Sequence, residues 1–358
     1  MSESVLLSRI RHGKFTLMAE IGVNYYDIAE KLHIPLLDAA KYMILEAKNA
    51  GIHAVKFQTY KAETLASKNS PSYWDTSEEP TKSQYELFKK FDSFGEKEYQ
   101  TLSAFCSSVG IEFCSTPFDY ESADYLETMM PVYKISSSDL PFIRYIASKE
   151  KPILLSTGAS DLEEIQRAVR VIRSVNHQEL VLLHCVLEYP TPYAHANLAK
   201  ILQLEKEFPD AYIGYSDHTK PDACYDVIKM AYLYGARLIE KHFTTDKKLQ
   251  GNDHYHAMDG HDAEKILEAI SFLDTLKGEG TLACLDSEQV ARKNARRSLV
   301  AAKAIARGTV LTKEMLVCKR PGTGISPQEM ENVAGCKAAV DIPADKTLTW
   351  EMIERKKQ

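Results

Sequence analysis

Eight short apolar runs recur before residue 245: FTLMAEI, HAVKF, IEFCST, VYKIS, PILLST, LVLLHC, AYIGYS and RLIEKHF. Runs of this length and composition suit strands buried on both faces. Each closes on residues able to do chemistry. They end at Glu20, Lys56-Phe57-Gln58, Cys114-Ser115-Thr116, Lys134-Ile135-Ser136, Ser156-Thr157, His184-Cys185, Ser216-Asp217-His218 and Glu240-Lys241-His242. Helical periodicity fills the gaps, for example over Leu37–Ala50, Glu98–Val109, Leu162–Val175, Cys224–Tyr234 and Ala263–Leu276. Gly51, Gly110 and Gly235 follow such runs as helix C-caps would. Eight βα units predict an α/β fold, a (β/α)8 barrel, whose active site gathers where the strands end.

The pattern stops near Leu276. Residues 1–280 are read as the barrel, 281–289 as a linker and 290–358 as a small β-rich module. The module repeats one theme. An apolar run (SLVAAKAI, then KAAVDIPA) leads to a tight turn and a Thr-x-Leu-Thr or Thr-Leu-Thr stretch. Two insertions interrupt the barrel rhythm: Tyr25–Pro35 after strand 1, and the segment 59–95 after strand 2, which contains Trp74. The second lies on the catalytic face, as either a substrate-covering lid or a surface excursion.

A hydrophobic share of 44%, a charged share of 26% and a net charge of −6 describe an ordinary globular chain. They provide no broad electrostatic reason to bind nucleic acid or an anionic membrane. No apolar run approaches a spanning helix, and MSESVLLSRIRHGK is too polar for a secretory signal. Seven cysteines show no C-x-x-C pair, so the expectation is a cytoplasmic enzyme without disulfides.

Side chains two apart on a strand share a face. Lys56 with Gln58, Lys134 with Ser136, Ser216 with His218, and Glu240 with His242 therefore point together. Such groups at the ends of a packed barrel are costly unless paired or bound to something charged. Structural salt bridges explain one such pair more easily than four. His218 and His242, at adjacent strand ends beside Glu240, suit a divalent metal, with Mn2+, Mg2+, Fe2+ and Zn2+ all compatible. Lys56, Lys134, Ser136, Ser156 and Thr157 suit a phosphate or a carboxylate, or both on one small molecule. The histidines of GNDHYHAMDGHD, His254, His256 and His261, are either substrate contacts or part of a solvated loop. Cys185 is read as core.

At these residues the chain resembles the sialic acid synthase (N-acetylneuraminate synthase) family. The resemblance covers the whole chain. It is carried by AEIGVN, KFQTYKAETL, STPFD, YKISSSD, STGAS, LHC with YPTPY, YSDHT, IEKHFT, and RRSLVAAKAI with KRPGTGIS. It implies a TIM barrel followed by an antifreeze-like SAF domain. It also implies condensation of phosphoenolpyruvate with an N-acylated hexose aldehyde, which yields a nine-carbon 2-keto-3-deoxy acid and phosphate. Mn2+ or Mg2+ is the implied metal, on His218 and His242. The implied roles are a base or water-positioning group for Glu20 and ordering of the metal's water or the sugar for Glu240. Asp253 and Tyr189 would contact the sugar or the metal-bound water. Gln58, Thr116, Asp139, Ser156 and Ser216, in the matching stretches, are further substrate-site candidates. Arg320 matches an arginine that one subunit of a homodimer lends to the other's barrel through a swapped SAF domain.

The chain departs from the family pattern at Val186-Leu187-Glu188-Tyr189, at Tyr25-Tyr26-Asp27 and at Ala257-Met258-Asp259-Gly260. All three lie where the sugar should sit. The acceptor can therefore be N-acetylmannosamine, its 6-phosphate, or a diamino-trideoxyhexose of the legionaminic or pseudaminic kind. Two other readings compete. A Schiff-base aldolase would use Lys134 or Lys56 as nucleophile. A non-catalytic carbohydrate-binding barrel would have lost metal or phosphate ligands, and none is visibly missing.

Overall fold

The computed structural model describes residues 3–74, 76–77, 79–251 and 253–354. All eight strand-like runs are strands: β1 (Thr16–Gly22), β2 (Ala54–Thr59), β3 (Glu112–Pro117), β4 (Tyr133–Ser136), β5 (Ile153–Ser156), β6 (Leu180–Cys185), β7 (Tyr212–Asp217) and β8 (Leu238–His242). They form one parallel sheet in the order β3-β2-β1-β8-β7-β6-β5-β4. The sheet curls into a nearly closed barrel, with β3 and β4 adjacent but not joined by a ladder. Strands β3, β5, β6 and β8 are buried along their whole length. For β5 and β6, whose runs are ILLS and LVLLHC, this is what an apolar run between packed layers requires.

Local chemistry sets the helix ends. Asp161 Oδ1 accepts from the Glu164 amide at 2.9 Å, and Glu164 Oε2 accepts from the Asp161 amide at 2.9 Å. This reciprocal box starts the helix Leu162–Arg173. Gly110, at φ 72°, ends Glu96–Val109 in the left-handed conformation that glycine adopts most freely. An N-terminal helix, Val5–Arg11, was not apparent from the strand rhythm. It covers the end where the strands begin, through Glu112 at the start of β3. That carboxylate accepts from Ser4 Oγ (2.8 Å) and from the Leu6 amide (3.1 Å).

The chain divides into two units, Met1–Lys277 and Gly278–Gln358. The segment 281–289, read as a linker, falls within the second unit and runs into the helix Gln289–Ala295. In that unit Ser298–Ala301 pairs antiparallel with Leu316–Lys319, and Lys337–Ala338 with Ile353–Glu354. The repeated theme is visible as a local two-fold relation. Ile305 and Ile342 exchange both backbone hydrogen bonds at 2.8 Å, and the turn residues Gly308 and Asp345 both have positive φ. Leu299, Leu311, Ile325 and Leu348 belong to the unit's own core, separate from that of the barrel.

Candidate active site

Register decides which strand-end side chains meet. Glu20 on β1 stands beside Lys56 of β2 on one side and His242 of β8 on the other. Ser216 on β7 pairs with Glu240 on β8, and Gln58 on β2 with Thr116 on β3. At this end of the barrel lies a cavity of about 320 Å³, a size suited to small ligands. Of the residues singled out in the sequence, Glu20, Lys56, Gln58, Thr116, Lys134, Ser136, Ser156, Tyr189, Ser216, His218, Glu240 and His242 line it.

The floor is a buried charge network. Lys56 is paired with Glu20, and its Nζ lies 3.7 Å from Glu240 and donates to Thr116 Oγ1 at 3.2 Å. Lys134 Nζ lies 3.2 Å from Glu240 Oε2, Ser216 Oγ donates to Glu240 Oε1 at 3.2 Å, and Gln58 Nε2 donates to Glu20 Oε1 at 2.8 Å. The two carboxylates titrate apart. Burial opposes charge on Glu240, but Lys134 and Lys56 outweigh it and hold the carboxyl down at about 2. Burial raises the Glu20 carboxyl, and Glu240 adds to the rise against the pull of Lys56. Burial also opposes charge on Lys56, yet Glu20 and Glu240 keep its pKa above the ordinary value.

Imidazoles form the neighbouring wall. His218 Nδ1 donates to Val186 O at 2.6 Å, which leaves Nε2 with a free lone pair. Burial lowers the His218 pKa to about 4. It also takes His242 well below its ordinary value, with His256 and His218 adding to the shift. Both rings are therefore neutral, the form that binds metal. Their centroids are 5.7 Å apart, and the Tyr189 ring lies 4.2 Å from that of His218. His242 Nδ1 is 3.6 Å from Asp253 Oδ2. Burial, with Glu20 and Asp27, pushes the Asp253 carboxyl up to about 7. Neutral imidazoles beside a carboxyl group that a cation would ionise are a donor set that fits a divalent ion.

Two further candidates are described by their own surroundings. Asp139 is exposed and caps the helix Leu140–Ala147, its Oδ1 accepting from the Phe142 amide at 3.1 Å. Its carboxylate serves the helix and is not part of the cavity wall. Arg320 is exposed in the second unit, directly after the strand Leu316–Lys319. The loop histidines also separate. His261 is exposed at the start of a helix. His254 is locked between Asp27 Oδ2 (2.9 Å) and Thr244 Oγ1 (2.8 Å).

The strand-end pattern missed the upper wall. Leu65, Tyr73, Gln84 and Phe88 of the segment 59–95 line the cavity, with Phe118 and Leu187. That segment is tied down from within. Trp74 Nε1 donates to Glu79 O and Thr81 O, and Lys61 Nζ to Asp92 O and Phe94 O. Its length and aromatic content were the available signal.

The NeuB family model matches residues 43–281, and the SAF domain model matches residues 296–354. An N,N'-diacetyllegionaminic acid synthase of Legionella pneumophila is 36% identical over 348 residues, spanning 94% of each chain. The chain belongs to the NeuB family. A pseudaminic acid synthase of Campylobacter jejuni is 30% identical, over 92% of this chain and 94% of its own. The crystal structure of an N-acetylneuraminic acid synthetase from Leptospira borgpetersenii, in complex with citrate, has 29% identity and a TM-score of 0.65. That match covers 78% of this chain and 90% of the other. These relatives are named for three different acids, legionaminic, pseudaminic and N-acetylneuraminic. No helix among the described residues is long and apolar enough to cross a membrane.

Proposed function

We propose that this protein is a nonulosonic acid synthase that condenses phosphoenolpyruvate with the open-chain aldehyde of an N-acylated hexose. The observation that carries this reading is the floor of the cavity. There Lys56 lies against both Glu20 and Glu240, and Lys134 against Glu240, two carboxylates of opposed titration, with Ser136 and Ser156 on the adjoining strand ends. The lysines and hydroxyls would take the phosphate and carboxylate of phosphoenolpyruvate by charge-assisted hydrogen bonds. A divalent cation at the imidazoles of His218 and His242 would supply Lewis acidity at the aldehyde oxygen.

The residues then divide the work. The cavity walls align C3 of phosphoenolpyruvate with the sugar carbon, and a new C–C bond forms as the carbonyl oxygen takes up charge and a proton. Water adds at C2, and Glu20, buried and raised toward neutrality, takes one of the water's protons, which balances the proton gained by the carbonyl oxygen, while the other leaves with the phosphate. The C2–O bond to phosphate then breaks, leaving a keto acid and inorganic phosphate. Glu240, held ionised, orients both lysines.

The cavity lining favours an unphosphorylated acceptor. Its cations among the described residues are Lys56 and Lys134, both engaged on the floor, while Leu65, Tyr73, Phe88, Phe118 and Leu187 are apolar or aromatic. Such walls suit acetamido methyls and a deoxygenated carbon better than a second phosphate. Phosphate release should therefore be measured with phosphoenolpyruvate, Mn2+ and a panel of acceptors. The panel would hold N-acetylmannosamine, its 6-phosphate, and 2,4-diacetamido-2,4,6-trideoxyhexoses. Release with an unphosphorylated member is expected. Release with none of them would reject the reading, and so would trapping of a borohydride-reducible pyruvate adduct on lysine.

A further inference from the structure

The loop after β8 brings a second imidazole against His242. Met258 returns alongside the strand, its amide donating to His242 O at 2.8 Å and its carbonyl accepting from the Thr244 amide at 3.0 Å. The turn between is anchored by His254 on Asp27 and Thr244, and by Tyr255 Oη, which donates to Tyr189 O at 3.0 Å. These anchors place the His256 ring 5.0 Å, centroid to centroid, from His242. His256 is fully buried.

One ligand atom each from His242, Asp253 and His256 lie within 4.8 Å of one another. His256 Nε2 is 3.8 Å from Asp253 Oδ1, and His242 Nδ1 is 3.6 Å from Asp253 Oδ2. Both separations are too long for hydrogen bonds. Neither nitrogen of His256, nor Nδ1 of His242, has a hydrogen-bond partner. A buried polar atom left without a partner is costly, so these nitrogens point to a ligand that would satisfy them. Ligands about 2.1 Å from one ion stand roughly 3.0–3.5 Å apart. Small rotations of these side chains would close the three groups around a single cation.

We propose that His256 is a further protein ligand for the divalent cation assigned above to His218 and His242, with Asp253 joining the same set. This rests on the metal-dependent reading above and adds to it a ligand from the loop after β8. Four protein ligands leave about a third of an octahedral shell for water or for the oxygens of a sugar.

The test is Mn2+ binding to metal-stripped full-length protein, without substrates, by calorimetry and electron paramagnetic resonance. His256→Asn should weaken binding by at least about tenfold, while the exposed-site control His261→Asn should bind as wild type does. Wild-type crystals grown with Mn2+ should show an anomalous peak within bonding distance of His256, His242 and Asp253, which decides the matter even if the variant does not fold. Undiminished Mn2+ binding by a folded His256→Asn protein would overturn the inference. So would a peak on His218 and His242 with His256 out of reach. Either result would leave the synthase reading intact. Wild-type protein that binds no Mn2+ would remove both this site and the metal-dependent mechanism.

Discussion

Lys134 on β4 and Glu240 on β8 meet across the interior of the barrel, Nζ 3.2 Å from Oε2. The two strands lie on opposite sides of the ring, so this pair spans the floor of the cavity. Removing one partner of a buried pair is costly because the other keeps its charge without compensation. Lys134→Met should destabilise the protein by about 3 kcal/mol, at the low end of the range because Lys56 remains within 3.7 Å of Glu240. Adding Glu240→Gln should recover most of that loss in urea titrations. The single change should also raise the KM for phosphoenolpyruvate about a hundredfold, the effect of losing a charge pair worth about 3 kcal/mol. A defect confined to the sugar would contradict the assignment of Lys134 to the phosphate-bearing substrate.

Glu20 is the carboxyl that burial leaves closest to neutrality on the floor, and Gln58 and Lys56 hold it in place. Glu20→Gln keeps shape and hydrogen bonding but cannot take a proton. Phosphate release should fall by about a hundredfold or more, in line with loss of a general base. Binding of phosphoenolpyruvate, followed by calorimetry, should persist. An unchanged kcat would remove Glu20 from the proton-transfer role.

Metal removal gives a third expectation. Exhaustive chelation should abolish turnover, and Mn2+ should restore it. His218→Ala and His242→Ala should each lower metal-restored activity by at least about a hundredfold, as expected when a Lewis acid loses its support. Full activity of metal-stripped protein with chelator present would reject the metal role.

The opposite end of the barrel holds a pH-sensitive contact. His53 Nδ1 accepts from the Leu17 amide at 3.0 Å, which requires a neutral ring. Burial, with Arg9 nearby, lowers its pKa to about 4, against about 6.5 in the unfolded chain. The unfolded chain binds the proton first, so stability is full above pH 6.5 and falls as the pH drops toward 4. At most about 3 kcal/mol is at stake, since one pKa unit corresponds to about 1.4 kcal/mol. His53→Asn keeps an acceptor without a charge. Its stability relative to wild type should rise steadily as the pH falls from 6.5 to 4, and parallel pH curves for the two proteins would show that His53 does not control the loss.

The barrel and most of its floor were legible because strand alternation reports direction. Given the eight runs, Glu20, Lys56, Lys134, Glu240 and His242 had to share one end, and those residues line the cavity. What lay outside that logic depended on contacts distant in sequence. Leu65, Tyr73, Gln84 and Phe88 reach the cavity only because their segment folds back on hydrogen bonds within itself. Asp139 caps a helix, and Asp followed by Leu140-Pro141 is the helix-start signal that announces it. His256 sits in a turn, where no periodicity announces which way a ring points.

Lys241, between Glu240 and His242, faces away from the cavity. It is buried against Asp217, Nζ to Oδ2 at 2.5 Å, and donates to Thr219 O at 2.7 Å. β8 thus carries two carriers of opposite polarity on its two sides, and only their parity along the strand keeps them apart. A slip of one residue would turn an ammonium group into the cavity and strand a carboxylate and an imidazole in the apolar layer behind. The Asp217 clasp therefore acts as a registration key. It holds the sign of the cavity's potential by fixing, from outside the barrel, which member of a three-residue word is read inside.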